Sequence, residues 1–235
     1  MALPRNIRPE YSTTIPSTGQ KIKYNPFSVK EEKILILAAE SSDTDEVTNA
    51  ISNVLRNCVT SPASFNVEEL ALFDIEYLFL KTRAKSAGEK IKVEITDPDD
   101  DEFTVQHEIN IDKIGIKRTE GHTNLVEINE NTLVKMKYPD LSFFQDGIDV
   151  TNMTDISSTI GKCIVQIVVD EEVFNQADMS DSEVEEWMDS LTTEQFQRIS
   201  TFFETMPKLR HSITLQNTNT EKEFTVVLEG LADFF

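Results

Sequence analysis

The stretch IKVEITDPDDDEFTVQHEI (Ile91–Ile109) alternates apolar and polar residues, breaks at a cluster of Asp and Pro, and then alternates again. This pattern predicts two antiparallel strands joined by a charged turn. A later stretch, ITLQNTNTEKEFTVVLEGLADFF (Ile213–Phe235), follows the same plan, and both second strands contain EFTV. The sequence therefore predicts two β-hairpins that are related by an internal duplication.

Helices are predicted around these hairpins, because Ser, Thr, Asp or Asn is repeatedly followed three residues later by Glu or Gln, as in a capping box. We expect helices from Ser28 through Ser41, from Asp43 to about Cys58, from Asn66 to about Gly88, over Ile156–Val169, from Ser180 over SEVEEWMDSL, and from Thr192 to Pro207. The third is apolar around most of its circumference, so it is either buried on several sides or covered by a partner, and a central core position is favoured. Shorter strands are expected near Ile114–Arg118, Leu125–Ile128 and Leu133–Lys137.

These elements predict an α+β fold, with helical layers and two β-hairpin or ribbon units arranged as an internal duplication. We divide the chain into an extended basic N-terminal arm (1–27), a helical segment with the first hairpin and short strands (28–153), and a second helical segment with the second hairpin and the C-terminal tail (154–235). The helix before each hairpin is predicted to belong to the repeated unit.

The composition restricts the possible functions. The 22 basic and 42 acidic residues give a net charge of −20, which disfavours nucleic acid as a partner. No window approaches the roughly 18 consecutive apolar residues of a membrane span, and the first residues lack the apolar core of a signal peptide. Two cysteines, Cys58 and Cys163, do not make a disulfide framework. They indicate a reducing intracellular compartment, with both thiols buried in helices.

The N-terminal arm is a candidate docking segment. Its four prolines forbid a long helix, and residues 1–30 carry five cations against one acid. The segment from Cys163 to Gln197 has ten acids and no Lys or Arg, so the arm is predicted to dock on that region, in cis or in a second copy, or on an acidic partner. The candidate contact residues in the arm are Arg5, Arg8, Tyr11, Lys21 and Lys23.

The C-terminal tail is a second candidate, with Leu231, Phe234 and Phe235 as its contact residues. Exposed Phe side chains are costly, so we expect the tail to be held. It either packs into the chain's own helical layer, for example beside Phe196, Phe202 and Phe203, or docks on a partner. The first alternative is favoured because a tail next to its own hairpin has a short loop to close.

The sequence indicates no catalytic, cofactor-binding or metal-binding residues. Three scattered histidines lack Cys or His at metal-ligand spacing, and no glycine-rich phosphate loop occurs. Asp97, Asp99, Asp101 and Glu108 imitate positions of an EF-hand loop, but the required Gly is Glu102 and the flanks are strands. A solvated hairpin turn is the expected reading of this cluster.

Four segments that together span nearly the whole chain are IRPEYSTTIPSTGQKIKYNPFSVKEEKILILA (Ile7–Ala38), FDIEYLFLKTRAKSAGE (Phe73–Glu89), FFETMPKLRHSI (Phe202–Ile213) and LEGLADFF (Leu228–Phe235). Together they resemble the baseplate hub assembly proteins of T4-like contractile-tailed bacteriophages, especially those of marine myoviruses. Some members of that family carry Cys-x-x-Cys knuckles at the two ribbon tips. Neither tip contains cysteine here, so no zinc or other cofactor is expected.

The resemblance implies a non-enzymatic role in building the baseplate hub, as an assembly chaperone or as a structural hub component. The implied partners are other hub or tail proteins of the phage, or a second copy of the chain, with no nucleic acid and no membrane. The implied location is the host cytoplasm during virion assembly or the tail baseplate of the virion. A small carboxylate-based hydrolase and a calcium-binding regulator are the alternative functions.

Overall fold

The computed structural model describes residues 7–41, 44–141 and 160–234, and it confirms the predicted α+β class. The α-helices are α1 (Val29–Ser41), α2 (Thr44–Cys58), α3 (Leu72–Ala87), α4 (Asp181–Asp189) and α5 (Thr193–Thr205). The strands are β1 (Tyr11–Thr14), β2 (Lys21–Tyr24), β3 (Val59–Ser61), β4 (Lys90–Asp97), β5 (Asp100–Asn110), β6 (Ile116–Lys117), β7 (Leu125–Asn129), β8 (Thr132–Met136), β9 (Ile164–Val169), β10 (Glu172–Asn175), β11 (Lys208–Gln216) and β12 (Glu223–Glu229).

The chain forms two compact units that are nested in sequence. The first unit contains the residues up to Lys117 and those from Lys208 onward, and the second contains Arg118–Pro207. The first unit is therefore completed by a late part of the chain. The predicted boundary between 153 and 154 lies outside the described residues, and the contacts instead divide the chain near 117 and 207.

The predicted helix starts follow from local capping. Ser180 and Thr192 each form a complete capping box, with Glu183 and Gln195 as the reciprocal partners. In the third predicted helix, Asn66 instead caps a short 3-10 helix, Val67–Glu69, and the backbone is extended at the next two residues before α3 begins. The single long helix expected from Asn66 is therefore two elements.

The N-terminal segment is extended, as its prolines require, but it is a hairpin within the first unit. Strands β1 and β2 pair with each other, and β2 also pairs with β3. Ile15, Ile22 and Tyr24 are buried. The sheet of β1, β2 and β3, which we call the N-terminal layer, is therefore packed within the unit. The sequence instead predicts an extended arm that docks on a surface.

The core of the first unit lies between α3 and the two hairpins. Leu80 and Ala84 of α3 contact a cluster with Ile95 and Ile109 of the first hairpin and Ile213 of the second. Because the apolar residues of α3 occupy most of its circumference, the helix is buried on several sides. The core position predicted for this helix is confirmed.

The two hairpins share more than the EFTV tetrapeptide. Thr96 and Thr104 approach at 3.0 Å between their Oγ1 atoms across the first ladder, and Thr214 and Thr225 do the same at 3.0 Å across the second. Strands β4 and β5 belong to the same unit as α3, whereas β11 and β12 belong to a different unit from α5. The helix before the second hairpin therefore lies in a different unit from that hairpin, unlike the helix before the first hairpin. The similarity between the two halves rests on the paired strands of the hairpins.

Two contacts couple the hairpins directly. Phe103 and Phe224 pack edge to face with ring centroids 6.0 Å apart. The buried Asn217 donates from Nδ2 to Asp97 Oδ2 at 2.7 Å and to Asp100 Oδ2 at 3.1 Å. Because a buried carboxylate is costly without a donor, this amide fixes the two turns against each other.

The second unit contains a four-stranded antiparallel sheet in the order β10-β9-β8-β7. The helix predicted over Ile156–Val169 is wrong in its second half, because β9 occupies Ile164–Val169. Five of the six residues in this run are Ile or Val, which favour a strand, and the strand lies inside the sheet. Residues 156–159 lie outside the described part of the chain.

Candidate docking surfaces

The outer side of α1 exposes three large apolar side chains. Val29 is 65%, Ile36 is 52% and Leu37 is 66% exposed, and we call these three residues the α1 outer face. They lie on one side of the helix because seven or eight residues make about two turns. Ala38 is buried on the opposite side, where α1 packs against α2. Both sides of the helix thus carry apolar side chains, and those of the outer face remain exposed.

The first turn of α1 is fixed by a buried carboxylate. Glu31 accepts a hydrogen bond from the Ser28 backbone N–H at 2.8 Å, and the Ser28 hydroxyl also donates to it. Burial acts to raise the pKa of Glu31, but the hydrogen bonds from Ser28 and the charge of Arg8 outweigh it, so the pKa lies below its usual value. This start holds the outer face on a regular helix.

Arg8, a predicted docking residue, is used inside the first unit. Its guanidinium lies 3.7 Å from the carboxylate of Glu31, and it donates to the Pro26 carbonyl at 2.9 Å. Lys23 pairs with Glu10 at 2.8 Å, on exposed surface. The partners of these two cations are therefore close in sequence, within the first 31 residues of the chain.

The other candidate docking residues of the arm differ in their surroundings. Tyr11 packs on Tyr24 with centroids 6.0 Å apart, and the ammonium of Lys85 lies 5.6 Å from the Tyr11 ring. Lys21 is exposed. Arg5 lies outside the described residues. A docking role for these side chains stays a prediction.

The C-terminal tail packs into the core of its own unit. Phe234 is 1% exposed and belongs to the cluster with α3 and the two hairpins, and Leu231 packs against the same cluster. This is the first of the two predicted alternatives, but the location differs, since Phe202 and Phe203 belong to the core of the second unit. Phe235 lies outside the described residues.

Hydrogen bonds hold the turn that leads into the tail. Gly230 has a φ of 71° and donates its N–H to the Leu209 carbonyl at 3.0 Å. Glu229 donates its backbone N–H to Asp233 Oδ2 at 2.7 Å. The backbone of Leu231 hydrogen-bonds to the Glu76 carboxylate of α3, yet burial raises the pKa of Glu76 to about 7, with a further rise from the charge of Glu229. The tail is thus held by both apolar and polar contacts.

The EF-hand-like carboxylates do not converge. Asp97 binds Asn217 and the backbone of Asp99, whereas Glu108 pairs with Lys90 at 2.6 Å on the exposed ladder. Within the described residues no group of three or more His, Cys, Asp or Glu could hold a metal ion. The arrangement does not favour the calcium-binding alternative.

The two cysteine thiols and His122 lie in packed surroundings. Cys58 and Cys163 are fully buried, and burial raises their pKa values to about 11 and about 12. Cys58 ends α2 as predicted, but Cys163 lies in the turn before β9 rather than in a helix. His122 lies 3.0 Å from both the Tyr138 hydroxyl and Thr205 Oγ1, and burial, aided by Arg118, lowers its pKa. These groups fit a packed core better than a nucleophile or an acid–base pair.

The exposed apolar residues that the sequence reasoning missed are those of the α1 outer face. A signal for them exists: the run from Ile34 to Ala39 is entirely apolar, and one helix cannot turn six consecutive residues towards a single layer.

No helix in the described part of the chain is both long enough and apolar enough to span a membrane.

The comparison with protein families gives one match. The family model described as T4 bacteriophage base plate protein matches residues 8–235, nearly the entire sequence. No match was found among curated proteins or among solved structures. The matched range includes the N-terminal layer, both hairpins, the second unit and the tail. The chain therefore belongs to the T4 bacteriophage base plate protein family and has a structural role in the phage tail baseplate.

Proposed function

We propose that this baseplate protein acts in assembly of the baseplate hub, as an assembly chaperone or as a structural hub component, through protein–protein contacts and without catalysis. The resemblance of the segments quoted above to the marine myovirus hub proteins supports this assignment. The structural observation that carries the proposal is the α1 outer face, which presents Val29, Ile36 and Leu37 to solvent. Its proposed occupant is an apolar groove or helix of another tail or baseplate protein of the same phage.

The size of the face suits a contact that is made during assembly. Burying one large apolar side chain is worth about 1.5–3 kcal/mol, so three exposed side chains can supply several kcal/mol to an interface. The remaining side chains on the exposed positions of the helix include Lys30, Glu32, Lys33 and Glu40. By helical geometry Lys33 and Glu40 lie on the same side of α1 as the three apolar residues, so the exposed side mixes apolar and charged side chains, as many protein interfaces do.

The exposed cations of the N-terminal layer extend this proposal. Lys21 and Lys23 are on the surface of the same unit, and Lys23 already pairs with a carboxylate that is itself exposed. Such a surface pair is worth little, so a partner carboxylate can exchange with Glu10 at small cost. We assign these residues and Tyr11 a contribution to orientation of the partner, with most affinity coming from the α1 outer face.

Complementation of a phage that lacks this gene tests the proposal. Plasmid-borne wild-type protein, the double variant Ile36→Ser plus Leu37→Ser, and the control Leu125→Ser are expressed in the infected host. Leu125 is 45% exposed in the second unit, so its replacement removes a comparable exposed apolar side chain from another surface. We expect the α1 variant to lower the yield of complete baseplates, counted by electron microscopy, while the control supports assembly.

The same infected cells distinguish the two hub roles. An assembly chaperone is present with hub intermediates and absent from purified virions, whereas a structural component is present in both in a fixed ratio to the tail. Normal yield of baseplates with the α1 variant, at wild-type protein level, would contradict the docking surface. Complete hubs in cells that lack the protein altogether would contradict the function itself.

A further inference from the structure

The edge strand β10 in the second unit is the feature that the proposed function leaves unused. Among the described strands, β10 pairs only with β9, at the edge of the four-stranded sheet. All four residues are exposed, with Val173 at 50% and Phe174 at 39%. Successive side chains of a strand point to opposite faces, so an apolar side chain is exposed on each side of this edge.

The opposite edge of the sheet is different, because α5 packs against β7. Natural edge strands are protected by charges, prolines, bulges or covering elements, since the outward N–H and C=O groups of an edge can pair with another strand. In β10 the exposed side chains of Val173 and Phe174 lie beside this edge. The backbone of this edge is therefore suited to receive an added strand.

Charge decides which kind of strand fits. The turn before β10 is Asp170-Glu171, and β10 itself begins with Glu172. The whole segment from Cys163 to Gln197 contains ten acids and no Lys or Arg. Pairing of β10 with the same strand of a second copy would bring two strongly acidic segments together, which the repulsion between like charges opposes. The occupant must carry positive charge.

A small open pocket lies next to the end of β10. Gln176 directly follows β10 and lines this pocket, whose apolar lining is Met179, Val184 and Met188. Asp181 and Glu185 also line it, four residues apart on α4, while Lys162 and Gly161 complete the wall. The two carboxylates outnumber the one ammonium, so the lining keeps a net negative charge beside its apolar residues, which fits the aliphatic stem and charged head of Lys or Arg.

We propose that β10 is a β-augmentation site for an extended, cationic segment of a partner protein. The segment adds a strand to the edge, its apolar side chains pack on Val173 and Phe174, and one Lys or Arg enters the pocket beside Asp181 and Glu185. Backbone hydrogen bonds supply affinity, and the acidic surroundings select basic sequences. This surface belongs to a different unit from the α1 outer face, so it does not depend on the hub function.

Binding of designed peptides to the purified full-length protein tests the inference. The probe is a fluorescein-labelled nonapeptide that alternates Lys with Val, and its first control is the same peptide with Glu in place of Lys. The second control keeps every charge but carries N-methyl groups on the backbone amides that face the edge, which blocks strand addition. Fluorescence anisotropy gives the Kd of each, and hydrogen exchange locates protection on the protein.

We expect the Lys–Val peptide to bind and to protect amides of residues 172–175, and both control peptides to bind at least tenfold more weakly. Phe174→Ser, and separately Asp181→Asn with Glu185→Gln, should each weaken binding at least fivefold, while Leu125→Ser should leave it unchanged. Equal binding of the N-methylated peptide would show a merely electrostatic contact and overturn the inference. Self-association through β10, seen as a dimer that Phe174→Ser abolishes, would overturn it as well.

Discussion

The C-terminal tail and helix α1 are both apolar segments of the first unit, and they differ in what covers them. Phe234 in the tail is 1% exposed, whereas Leu37 in α1 is 66% exposed. The tail follows directly from a hairpin that already lies on α3, so a short turn at Gly230 brings it to the core. Helix α1 uses its inner side for α2, and its outer side has no comparable neighbour among the described residues. Apolarity alone therefore does not identify a docking segment.

Replacement of Phe234 by Ala tests the buried side of this comparison and has the largest expected effect. A buried Phe→Ala change removes apolar contacts and leaves a cavity, which costs about 3–5 kcal/mol. We expect the free energy of unfolding, measured by urea denaturation, to fall by that amount. Lys222→Ala in the exposed turn between β11 and β12 is the matched control and should change stability little.

If Phe234→Ala leaves the stability unchanged but abolishes assembly in infected cells, the tail is a docking peptide and not part of the core. Loss of both would agree with the core position, because an unstable first unit cannot present α1. Loss of both would thus assign the tail a role in stability and leave binding to the α1 outer face.

The pH dependence of stability sharpens the comparison, because Glu76 contacts the tail. Its folded-state pKa of about 7 lies above the ordinary glutamate value of 4.5, so its contribution to stability is fully present below about pH 4.5 and is lost as the pH rises through 7. We expect Glu76→Gln to raise the unfolding free energy at pH 8 by about 1–2 kcal/mol, with little change at pH 4.5. Urea titrations at the two pH values give the difference.

Glu69→Gln, an exposed carboxylate outside α3, serves as the control for that measurement and should show no such difference. A gain of stability that is equal at both pH values would contradict a titrating Glu76. A variant that is less stable at pH 8 would show that the ionised carboxylate strengthens the bond to Leu231 by more than its burial costs.

The double variant Ile36→Ser plus Leu37→Ser has the smallest expected effect on stability. Both side chains are mostly exposed, so the unfolding free energy should change by about 0.5 kcal/mol or less per residue. Urea denaturation of the purified variant checks this value alongside the Phe234→Ala series. A loss of several kcal/mol would mean that the α1 outer face is part of the protein's own core, and the contrast with the tail would disappear.

Local signals in the sequence predicted much of the fold. The capping boxes at Ser180 and Thr192 placed two helix starts because they depend only on residues three positions apart. The alternation in β4 and β5 placed the first hairpin because its side chains are buried on one face only. The core position of α3 followed from its apolar circumference.

Features set by tertiary neighbours were not predictable. Strand β9 is apolar almost throughout, and periodicity cannot separate such a run from a buried helix. The location of Phe234 depended on which hairpin covers which helix. The α1 outer face and the edge strand β10 are recognised by exposure, which the sequence does not record.

The pairing of β6 with β11 has a consequence for the order in which the molecule can be made. Lys117 lies opposite Lys208 in that ladder, so the chain leaves the first unit and returns to it on adjacent strands. A ribosome must synthesise the intervening roughly 90 residues before β11, β12 and Phe234 exist, and closing so long an unfolded loop costs about 4 kcal/mol. The unit that begins first is therefore finished last, and a truncated product would display α1 on an incomplete scaffold.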